Sequence, residues 1–103
     1  MIFARIVDDT LLVSLPADLR VAGREALVEA VERTLAPGVR RVRIDAAALE
    51  SVDTAGLGAL ARIMRLAVDA TGAPPRLVNP SPELRDELRS VLLLGFFDEF
   101  EGE

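Results

Sequence analysis

Residues 51–60, Ser-Val-Asp-Thr-Ala-Gly-Leu-Gly-Ala-Leu, constrain this chain more than any other stretch. They join a strand-like run, Val39 to Asp45, to an amphipathic run that continues to about Ala70. Asp53 and Thr54 are both helix-capping types, so the joint reads as the mouth of a helix with two candidates for its N-cap. Gly56 and Gly58 then fall in the first turns, where each costs about 1 kcal/mol against alanine. Such a cost points to close approach of a second backbone, either from this chain or from another protein. A hydroxyl, a neighbouring carboxylate and bare glycine surface together read as a recognition site, with Asp53, Thr54, Ala55, Gly56, Leu57 and Gly58 as its candidate residues. The plainer reading keeps Asp53 and Thr54 as caps and both glycines as internal packing.

The run Val39 to Asp45, VRRVRID, limits what the joint can be attached to. Val42 and Ile44 fall on one side of a strand, Arg41 and Arg43 on the other. A strand covered on both faces would read as continuous Val, Ile and Leu. This sheet is therefore expected to be covered by helices on one face and wet on the other, with Arg5 and Arg76 on the wet face in some registers. Ile2 to Val7 and Leu11 to Leu15 form two further strands around an Asp8-Asp9-Thr10 turn, and Pro16 ends the second. Val21 to Leu35 is helical, with Leu27, Val31 and Leu35 at four-residue spacing, and Pro37-Gly38 stops it.

The helix from Thr54 to Ala70 carries a stripe of Leu57, Leu60, Ala61, Met64 and Val68, and Thr71-Gly72 closes it. Arg76 to Asn79 is a short strand. Ser81-Pro82-Glu83 opens a third helix with a capping hydroxyl, a proline at the first helical position and an acid in the first turn. Its buried stripe is Leu84, Leu88, Val91 and Leu92, and Gly95 is the expected stop. Phe96 to Glu103 is too short for another full element, and the run Val91 to Phe97 reads as core or as a sticky surface. The order is β-β-α-β-α-β-α in one α/β domain, as a length of 103 residues implies.

Composition removes whole classes of chemistry. There is no Cys, no His and, with all twelve basic residues being Arg, no Lys. Thiolate and histidine catalysis, the usual zinc sites and Schiff-base chemistry are gone together. Ser and Thr lack a base, and no acidic pair has a suggestive spacing, so no enzyme is expected: catalytic, metal and cofactor residues are none. The net charge is −5, and three of the four Phe residues lie beside the acids Asp98, Glu99, Glu101 and Glu103, the reverse of a nucleic-acid surface. No apolar run approaches the ~18 residues of a membrane span and the N-terminus lacks a signal-peptide pattern, which predicts a soluble cytoplasmic protein without membrane insertion.

The joint VDTAGLGAL, the run LLVSLPADL and the run PRLVNPSPELRDELRSVLLLG, in this order, resemble the STAS family over nearly the whole chain. That group includes bacterial anti-sigma factor antagonists and a small subunit of lipid-asymmetry ABC transporters. The resemblance implies a single domain with a four- to five-stranded mixed sheet and helices packed mainly on one face. It implies a protein partner, a serine/threonine kinase-like anti-sigma factor, that phosphorylates the hydroxyl residue after the Asp, here Thr54. It equally fits an accessory subunit that binds a transporter ATPase at the same corner without a phosphate cycle. Three features depart from the family pattern. Ala55 stands where a second hydroxyl is common, Arg20 where the loop often carries an acid, and the chain stops where a fifth strand and last helix are expected.

Overall fold

The computed structural model describes residues 3–100. The first hairpin follows from its turn. Strands β1 (Ala4–Val7) and β2 (Thr10–Ser14) pair antiparallel with Val7 opposite Thr10, so Asp8 and Asp9 alone make the turn. Asp8 takes φ +57°, a left-handed conformation that Asp tolerates better than most residues. After β2 come β3 (Asp18–Leu19), α1 (Val21–Thr34), β4 (Arg41–Asp45), β5 (Ser51–Val52), α2 (Thr54–Thr71), β6 (Arg76–Val78), α3 (Pro82–Ser90) and β7 (Asp98–Phe100).

The main sheet has the order β1-β2-β4-β6-β7, antiparallel at β1/β2 and parallel at every other step. Two-residue strands β3 and β5 form a separate parallel ladder, Asp18 opposite Ser51 and Leu19 opposite Val52. One face of the sheet is apolar, with Leu11, Val13, Val42, Ile44 and Leu77 all buried. Leu27, Val28 and Val31 of α1, Leu57, Leu60, Ile63 and Ala67 of α2, and Leu84 and Leu88 of α3 complete one core with them. The other face carries the row Arg5, Leu12, Arg43, Arg76, Asp98, each aligned with the next across the ladders. The one-sided cover expected from VRRVRID is what the chain adopts.

Four expectations need correction. The C-terminal run does form an element: β7 lines up with β6, and Asp98 N–H donates to the Pro75 carbonyl at 2.9 Å, so backbone bonding makes a strand from an acidic sequence. That strand is the sheet's fifth; Glu101 to Glu103 lie outside the described residues. The stripe of α2 runs through Gly56, Ala59, Leu60, Ile63 and Ala67, while Val68 is exposed: the period is the expected 3.6 residues, and the buried side is turned about the helix axis by about one residue from the expected one. Helix α3 ends before Gly95. Leu92 has φ +61°, its N–H donates to the Arg89 carbonyl and that of Leu93 to the Leu88 carbonyl, the hydrogen-bond pair of a Schellman stop. In consequence Val91 and Leu92 leave the buried stripe and are exposed, as is Phe96, whereas Phe97 is buried.

Candidate functional site

Of the two candidate caps, Asp53 does the work. Its backbone is extended (φ −115°, ψ −174°) and its Oδ1 accepts a hydrogen bond from Gly56 N–H at 2.8 Å. Leu57 N–H then donates to the Asp53 carbonyl at 2.9 Å, the first full helical bond. Thr54, the first residue inside α2, is exposed. Its hydroxyl is not needed for capping, and the residue is open to solvent where the amide dipoles of α2 leave partial positive charge.

The two glycines have different duties. A Cβ at Gly56 would overlap the Leu19 carbonyl oxygen and stand 2.7 Å from Val52 Cγ2, so α2 is pressed directly onto the β3–β5 ladder. Gly58 is exposed, and a Cβ there would meet nothing within 4 Å. Leu57 is buried in the core. Expected together on one recognition surface, Asp53, Thr54, Ala55 and Gly58 are at least partly accessible, whereas Gly56 and Leu57 point inward and support it from below. Thr54, Gly58 and Arg62, four residues apart, share one side of the helix.

That side borders a groove of about 570 Å³ between α1 and α2, with Glu25, Glu29 and Glu32 along one wall and Gly58 and Arg62 along the other. Arg62 Nη2 reaches Glu32 Oε1 at 3.9 Å across it. Arg24 Nε, at the same groove, is buried without a hydrogen-bond partner. The acids recur at helical spacing in the sequence, which is the signal that would have found this wall; only the fold sets it opposite Gly58 and Arg62.

Where β3 pairs with β5, just before α2, lies a charged pair, of which the sequence signalled only Arg20, as a departure from the family pattern. Arg20 Nε donates to Asp18 Oδ1 at 2.8 Å and its Nη2 to Oδ2 at 2.7 Å, a two-pronged ion pair on the surface. The hydrogen bond from Arg20, with its charge, holds the Asp18 carboxyl below its usual range. In return the hydrogen bond to Asp18 raises the Arg20 guanidinium, and the charge of Asp53 adds to the rise. Distant from this corner, Thr10, Arg41, Arg43 and Arg76 line a hollow of about 420 Å³ on the wet face of the sheet. Arg41 lies 3.9 Å from Asp9 and Arg76 3.9 Å from Asp98, loose surface pairs of little energetic weight.

The model of the STAS domain family matches residues 2–102. The chain belongs to the STAS domain family. No curated protein matches it. Among solved structures, it is similar to a proposed anti-sigma factor antagonist from Thermotoga maritima, with TM-score 0.79 and 20% identity over 96% of this chain and 85% of that one. An anti-sigma-factor antagonist STAS domain protein from Planctomyces limnophilus gives 0.78 and 17% over 97% and 89%. The Bacillus cell-fate determinant SpoIIAA in its phosphorylated form gives 0.73 and 19% over 97% and 89%. At these identities the likeness is one of fold. Among the described residues no helix is long and apolar enough to cross a membrane.

Proposed function

We propose that this STAS domain is an anti-sigma factor antagonist, a protein-binding module without enzymatic activity of its own, governed by phosphorylation of Thr54. The observation that carries the reading is the exposed Thr54 hydroxyl at the head of α2, spared from capping by Asp53. A kinase-type anti-sigma factor holding ATP is the partner. Thr54 Oγ1 attacks the γ-phosphorus, the new O–P bond forms as the bond to ADP breaks, and the hydroxyl proton passes to a base of the kinase. The unmodified chain binds the partner through Asp53, Thr54, Ala55 and Gly58 and so frees a sigma factor in the cytoplasm. Modification adds about −1.5 to −2 charge at that surface. The positive end of the α2 dipole tolerates it within the domain, while the partner's surface, fitted to a neutral hydroxyl, does not. That a similar protein, SpoIIAA, is known in a phosphorylated form supports the reading.

The test is incubation with the cognate kinase-type anti-sigma factor and ATP, followed by phosphate mapping by mass spectrometry. Phosphate on Thr54, together with partner binding weakened roughly tenfold or more by Thr54→Glu, is the expected result. An unmodified Thr54 combined with undiminished binding by Thr54→Glu overturns the proposal.

A further inference from the structure

The β3–β5 ladder does more than hold two short strands together. Its last pair is Leu19 opposite Val52, so the next residues, Arg20 and Asp53, come to neighbouring positions, with Thr54 one residue on. The absent side chain at Gly56 lets the Leu19 carbonyl sit against the first turn of α2, which fixes that separation. Asp18 and Arg20 are exposed, while Leu19 between them is fully buried. The surroundings are otherwise acidic. Glu50, Glu83 and Glu87 share with Arg20 a hollow of about 330 Å³, and Asp18 and Asp53 flank the guanidinium. Arg24, in the first turns of α1, borders the groove between α1 and α2 and not this hollow.

We infer that Arg20 is the residue that binds a phosphate carried by Thr54, exchanging Asp18 for it. The inference rests on the proposed modification of Thr54 and names what receives it. In the unmodified chain Arg20 is held in check by the two-pronged contact with Asp18. A dianionic phosphate accepts the same fork of N–H donors with twice the charge of a carboxylate, and guanidinium geometry suits both. When Arg20 moves across, Asp18 loses its cation and becomes a bare carboxylate beside the docking corner. Phosphorylation thus alters two surface points, Thr54 and Asp18, through one long side chain.

The experiment places phosphothreonine at position 54 during translation, which makes it independent of any kinase. The second phosphate ionisation is followed by phosphorus NMR, and the Asp18 carboxyl by carbon NMR. A cation about 4 Å away in a watery setting lowers the phosphate pKa by about 0.7 unit. Arg20→Gln is expected to raise it by about that amount and Asp18→Asn, which releases Arg20, to lower it further. In the phosphorylated wild type the Asp18 carboxyl returns toward its ordinary range. Arg20 and Asp18 are 60% and 54% exposed, so both variants are expected to fold, and circular dichroism checks it. An Arg20→Gln phosphate that titrates like the wild type overturns the inference, as does an Asp18 carboxyl that stays depressed after phosphorylation. A kinase that leaves Thr54 unmodified would instead sink the regulatory reading and leave these titrations standing.

Discussion

Gly56 and Gly58 look alike in the sequence and are opposites in the structure. Gly56→Ala must displace the Leu19 carbonyl or Val52, and is expected to destabilise the fold by about 1–3 kcal/mol in urea denaturation. Gly58→Ala adds a methyl to open space in an exposed helical position, and is expected to stabilise by about 0.5–1 kcal/mol. If Gly58 lies under the partner, the same substitution weakens binding while strengthening the fold, a split that pure packing does not produce. Asp18 supplies a pH prediction. Its folded pKa is depressed, chiefly by the hydrogen bond from Arg20, so the unfolded chain holds its proton more readily. The pair's small contribution is present above about pH 4 and fades as pH falls through the folded value. In Arg20→Gln the Asp18 carboxyl, read by NMR, is expected to titrate in the ordinary range.

Among the elements, those with local signals were legible. Ser81-Pro82-Glu83 announced α3, and Ser81 Oγ does accept from Leu84 N–H at 3.1 Å. Gly72, with φ +75°, closes α2 where Thr71-Gly72 placed its end. What escaped was whatever depends on distant partners. The strands β3 and β5 are two residues each, too short for any alternation, and exist through each other. Whether Gly56 faced inward hung on the carbonyl of Leu19, thirty-seven residues earlier, which no local spacing encodes. The end of α3 was misread because glycine is the usual left-handed stop, and here Leu92 takes that role at φ +61°. A leucine so placed is strained, and at 82% exposure its side chain buries little in return. Leu92→Gly is therefore expected to stabilise the domain by about 1 kcal/mol, measured by thermal or urea unfolding.

The molecule as a whole closes with the segment that the sequence made least convincing. Phe97 is only 6% exposed and belongs to the central core, and β7 follows it directly onto the edge of β6. Phe97→Ala is expected to cost about 3–5 kcal/mol, a large share of the stability of a domain this size, with one cooperative urea transition at a lower midpoint. The sheet itself was readable at this scale. Arg41 and Arg43 alternating with Val42 and Ile44 require a wet face, and the acidic tail of the chain hid a strand only because charge is a poor guide to backbone pairing at an edge. The seat of Gly56 on the Leu19 carbonyl has a mechanical consequence. A joint with no slack cannot serve as a hinge, so a pull on the head of α2 passes undiminished into β3, and whatever grips Thr54 from outside takes hold of a stiff body rather than a loose loop.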